Sequence, residues 1–154
     1  MSTPPKPVTA SCHCGAITVT VPYKPTRINE CQCTLCRRYA AAWAYYTTAD
    51  VQISPAPSHE ESAASGAYIW GDKHHGFHFC RKCGCVMCWY PCDVVEGKVD
   101  AKEGKQVGVN TRMMRPEDVR EVDREVLFDA LKMTLGKDVP KEERHVDDGA
   151  VYED

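Results

Sequence analysis

The chain has no apolar run approaching the roughly 20 residues that cross a bilayer as a helix, and Met1 to Pro7 lack the apolar core of a secretory signal. Basic charge is not in excess either, since 19 Lys and Arg stand against 22 Asp and Glu, for a formal net charge of -3. The few Lys/Arg clusters are too short to track a phosphate backbone. No internal repeat is detectable. These absences predict about one domain, cytoplasmic, that uses neither a membrane nor nucleic acid. They do not bear on its oligomeric state.

Cysteine, by contrast, is abundant: ten residues in 154. In a thiol-reducing compartment, cysteines in CxC and CxxC spacings hold metal more often than they form disulfides. Cysteines two apart are also poorly placed to pair with each other.

The spacing of the rest is that of a mainly β protein. Three prolines in residues 1–7 predict a flexible leader over 1–10. A strand is expected from Ser11 to Val21, where β-branched residues alternate with polar ones. Further strand-like stretches are Ala40 to Thr48, Val51 to Ile53, Ala67 to Trp70, Gly76 to Cys80 and Gln106 to Asn110. Val119, Val122, Val126, Ala130 and Met133 recur at helical spacing, which predicts a short C-terminal helical segment from Pro116 to Gly136. Residues 137–154 read as an acidic mobile tail, leaving 11–136 as the zinc-binding domain.

Cys31, Cys33 and Cys36 crowd into six residues, just ahead of Arg37 and Arg38. On an extended backbone the first two sulfurs point the same way, and the third returns across a tight turn. Zinc takes four protein ligands in a closed structural site and three where substrate or water must bind. Elsewhere, Cys12-His13-Cys14-Gly15 and Cys80-Arg81-Lys82-Cys83-Gly84 each place glycine directly after the last thiol, where the backbone folds back under a metal. Combined, Cys12, Cys14, Cys80 and Cys83 make a closed four-thiolate site. Cys31, Cys33 and Cys36 remain for a second ion, with Cys85, Cys88 and Cys92 as possible fourth ligands or small buried residues.

The order CxCG, CxCxxCRR, FHFCRKCGC and VGVNTRMM resembles the glutathione-dependent formaldehyde-activating enzyme family, which includes the centromere protein V-like proteins. That resemblance runs from about Ser11 to Asp129. It implies a zinc-bound β-tent of stacked antiparallel sheets, a structural zinc on Cys12, Cys14, Cys80 and Cys83, and a catalytic zinc on Cys31, Cys33 and Cys36. Two Zn2+ per chain and glutathione as co-substrate follow from it.

Three thiolates leave a zinc formally near -1 and weakly Lewis acidic, which suits an incoming thiol better than an acidified water. The reading is a carbon-sulfur lyase that adds a thiolate to a small aldehyde or other electrophile, or releases it from the adduct. Arg37, Arg38 and Arg112 are candidates for the carboxylates of glutathione, with Asn110 beside them. His78 is the candidate proton carrier, alternating onto the same face as Cys80, with His75 and His74 as neighbours. Trp43, Tyr45 and Tyr46 read as core. The competing expectation is a non-catalytic zinc module that binds a protein partner, in which Cys85 or Cys88 closes the second site. Thiol redox sensing ranks below both.

Overall fold

The computed structural model describes residues 3–33, 35–58, 60–69, 75–95, 98–101 and 105–126, the stretch 92–101 by its backbone alone. The chain forms two sheets. The smaller has the order β1-β2-β5, from Val8–Ser11, Thr18–Val21 and Gln52–Ser54. The larger runs β11-β3-β4-β10-β8-β7-β6. Its strands are Arg27–Asn29 (β3), Trp43–Thr47 (β4), Ser65–Ile69 (β6), His75–Cys80 (β7), Val86–Val95 (β8), Gln106–Asn110 (β10) and Asp123–Glu125 (β11). Lys98–Ala101 (β9) pairs off this path with the end of β8. The mainly β expectation therefore holds.

Alternation along the strands splits the packing into two regions. Val8, Ala10, Val19 and Val21 of the small sheet meet Ala44, Tyr46, Val107 and Val109 of the large one. This core lies between the sheets. Trp43 and Phe77 point to the other side of the large sheet, where they pack with Cys33 and Cys36.

Two sequence expectations change. The leader is shorter than residues 1–10, because Val8–Ser11 pairs with β2 and buries Val8 and Ala10; past Pro7 the backbone can again donate to a ladder. The helix from Pro116 is one turn, Pro116–Val119 (α1). Asp123–Glu125 leaves the helical path to lie parallel to β3, so Val122 and Val126 are not on a helix face. Ala130, Met133, Gly136 and the tail 137–154 lie outside the described residues.

Strand β8 lies outside the strand-like stretches of the sequence, and it is irregular. His78 pairs with Cys88 and Phe79 with Val86, so Met87 is an extra residue opposite β7. A regular strand would put Val86 and Cys88 on one face. Here Val86 and Trp89 face the three-cysteine side, while Met87, Cys88 and Tyr90 face the core between the sheets.

Candidate metal centre

The two glycine-marked cysteine motifs fold alike. Gly15 and Gly84 both sit at φ 79°, in the left-handed region that glycine enters without cost. Gly15 N–H donates to Cys12 O at 3.0 Å, and Gly84 N–H to Cys80 O at 2.8 Å. The backbone N–H of Ile17 donates to Cys12 Sγ at 3.3 Å.

Cys12, Cys14, Cys80 and Cys83 converge, with all four sulfurs within 4.8 Å of one another. The Cys12–Cys14 and Cys14–Cys80 sulfurs are each 3.6 Å apart. Four sulfurs at about 2.3 Å from a tetrahedral zinc stand about 3.8 Å apart, so this cage has the size and donor softness of a structural thiolate site. The N–H groups of Cys14 and then Cys85 lower the Cys83 thiol to about 5.

The second group is Cys31, Cys33 and Cys36, also within 4.8 Å, and no other His, Cys, Asp or Glu among the described residues joins it. Cys36 N–H donates to Cys33 Sγ at 3.3 Å and the Trp43 indole N–H to Cys36 Sγ at 3.2 Å. Without metal, hydrogen bonds from the Cys31 and then the Cys36 thiol hold Cys33 well below the ordinary thiol range, and the same contacts raise Cys31 and Cys36. Three soft donors sharing one negative charge fit an ion that neutralises all of them.

Of the three expected fourth ligands, neither Cys85 nor Cys88 reaches this group. Cys88 is fully buried on the far face, opposite His78, and burial raises its thiol to about 12. Cys85 stays beside the four-cysteine cage, its carbonyl accepting from Cys80 N–H at 2.9 Å. The Cys92 side chain lies outside those described.

His78 is likewise displaced from its expected role. It shares the Cys80 face of β7 and is buried, with its ring edge-on to Tyr90, while Phe77 and Phe79 face the three cysteines. His75, two residues along on the Phe77 side of the strand, sets its ring 5.0 Å from that of Trp89. His74 lies outside the described residues.

Asn110 turns out to organise the loop. It is buried, accepts through Oδ1 from the N–H of Ala42 and of Arg112, and donates through Nδ2 to Val86 O. This ties the end of the cysteine loop to β8 and β10. Ala40 closes that loop at φ 50°, an unfavourable conformation for a residue with a Cβ, and its carbonyl accepts from Arg112 Nε at 3.3 Å.

Arg37 and Arg38 are exposed at the loop's far end. Arg112 instead lies beside Glu30, the residue before Cys31, at 3.6 Å. Arg124 of β11 reaches the same Glu30 oxygen at 2.9 Å. The helical reading of this segment hid Arg124; the only trace in the sequence was three charged residues, Asp123 to Glu125, where an amphipathic helix has no special need of them.

The profile of a family described as glutathione-dependent formaldehyde-activating enzyme matches residues 7–118. The chain belongs to that family. No protein of curated function matches it. Among solved structures, the crystal structure of a Rhodobacter sphaeroides protein from a structural genomics programme aligns at a TM-score of 0.51 and 21% identity. The alignment covers 76% of this chain and 99% of that one. At that identity it supports the fold alone.

Proposed function

We propose that the protein is a zinc-dependent carbon-sulfur lyase acting on glutathione adducts of a small electrophile, with two zinc ions per chain. One observation carries this reading: among the described residues, a three-thiol group stands without a fourth protein ligand, while four other thiols form a complete cage. A second structural zinc would need that fourth ligand, and Cys85 and Cys88 are both held elsewhere.

When bound at Cys31, Cys33 and Cys36, zinc supplies a position where a thiol is deprotonated at neutral pH. The family description points to glutathione as that thiol. Its sulfur attacks the carbonyl carbon of an aldehyde, a carbon-sulfur bond forms, and the carbonyl oxygen takes up a proton to give a hydroxyalkyl thioether. The reverse breaks the same bond and returns the proton. His75, on the face of β7 that carries Phe77, is the imidazole best placed to handle it among the described residues. Arg112 and Arg124, sharing Glu30 beside Cys31, are placed to take a carboxylate of glutathione in exchange for that side chain.

The test is metal content and glutathione affinity of the wild type and Cys36→Ser. The variant is expected to keep one zinc of two and to lose glutathione binding. Two zincs with unchanged affinity would sink the assignment. Formation of hydroxymethylglutathione above its spontaneous rate then tests formaldehyde separately.

A further inference from the structure

Tyr45, Gly108, Trp89 and Phe77 stand directly opposite one another on β4, β10, β8 and β7, in one cross-strand row. The row lies on the three-cysteine face: Tyr45 and Trp89 pack against the cluster that holds Cys33, Cys36 and Phe77. Glycine in the middle of a strand has no side chain to pack and weakens the strand, so a packing reason is needed. A Cβ at Gly108 would fall 2.0 Å from Trp89 Nε1 and 2.3 Å from Cε2. Gly108 therefore lets the indole of Trp89 lie down over β10 toward Tyr45, whose ring centroid is 6.0 Å away. His75 meets the other side of the indole edge-on.

The result is a strip of three rings that stays half-buried or exposed at Tyr45, Trp89 and His75, whereas Phe77 in the same row is buried. A one-carbon aldehyde has no group that could use it. We propose that this strip is the subsite for the organic group of the electrophile, and that the preferred substrates are glutathione adducts of aromatic or bulky apolar aldehydes. The proposal rests on the lyase reading above and extends it from the thiol to the carbon partner. An aryl group leaving water for the face of Trp89 gains both apolar burial and ring-ring contact.

The experiment uses stable thioethers, so that binding is read without turnover: glutathione, S-methylglutathione and S-benzylglutathione titrated onto the zinc-loaded protein by calorimetry. S-benzylglutathione should bind on the order of tenfold more tightly than S-methylglutathione. Trp89→Ala should bring that ratio close to one while leaving glutathione affinity in place. Should Trp89→Ala fail to fold, His75→Ala, at an exposed position, should lower the ratio about twofold to threefold. S-(4-nitrobenzyl)glutathione should quench indole fluorescence in the wild type more than in Trp89→Phe.

Equal affinity for the methyl and benzyl thioethers would overturn the subsite and leave the lyase reading standing. So would a preference that both Trp89→Ala and His75→Ala retain. Failure of glutathione and both thioethers to bind at all would overturn the lyase reading, and the subsite with it.

Discussion

The two cysteine groups occupy opposite faces of one sheet and are built by different means. The four-cysteine cage draws on two sequence-distant turns, each closed by a glycine at the same φ, and is joined to the core between the sheets. The three-cysteine group comes from one continuous loop, held at its end by Asn110 and Arg112 and floored by aromatic rings. Distant segments brought to one ion make a staple, which stabilises the fold by closing the long loop between Cys14 and Cys80. Ligands from one short loop close no such distance, so an ion held there would add little to folding.

The sharpest break in that comparison is removal of a ligand from each side. Cys80→Ser should unfold the domain, since structural thiolate zinc supplies on the order of 10 kcal/mol in small domains; circular dichroism and metal content would report loss of both ions. Cys36→Ser should leave a cooperative fold with a midpoint lowered by only a few degrees. If the two variants are equally unstable, the division into staple and working centre is wrong.

Next in size are the glycines. Gly108→Ala drives a Cβ into the Trp89 ring and should cost about 1–3 kcal/mol through displaced packing, with a shifted indole emission. Gly84→Ala meets no atom within 4 Å, so its cost comes only from φ 79° and should be about 1–2 kcal/mol. Denaturant midpoints with emission spectra separate the two, because only the first moves the fluorophore.

Acidity should act on both groups in the metal-free protein. Cys83 and Cys33 have folded values below the ordinary thiol value of 9.0, so the stability they add is full above that value and is lost as pH falls through the folded ones. For Cys83 the window runs from about 9 down to about 5. Urea midpoints of chelator-treated protein should therefore decline across it. A flat profile would mean that the hydrogen bonds to Cys83 do not persist without metal.

The smallest effect is expected at Glu30→Gln. Loss of a charge shared by two exposed arginines should change stability by less than about 1 kcal/mol. It should nevertheless tighten glutathione binding, as Arg112 and Arg124 lose their resident anion. Weaker binding would show that Glu30 positions these arginines rather than competing for them.

The division of cysteines was legible because metal turns have a local signature. CxCG and CxxCG each announce two sulfurs and a left-handed glycine within five residues, and strand alternation located β4, β6, β7 and β10. What stayed hidden depends on partners far along the chain. Val119, Val122 and Val126 satisfy a helical period whether or not a helix forms, and only pairing with β3 decides that Asp123–Glu125 is extended. Val8–Ser11 looked like the end of a proline-rich leader until Val21 and Val19 stood opposite its apolar residues. The face on which His78 acts was misjudged because alternation tells which residues share a face, but not which metal group lies over it.

The extra residue at Met87 has an effect out of proportion to its size. It puts two consecutive side chains, Met87 and Cys88, on the core side of β8, with Val86 and Trp89 on the other. Deleting it would restore strict alternation and leave Cys88 opposite His78, still facing the core, between Val86 and Trp89 on the other face. The core between the sheets thus gains one more fully buried side chain, while the rings ranged along the opposite face of the sheet keep their places.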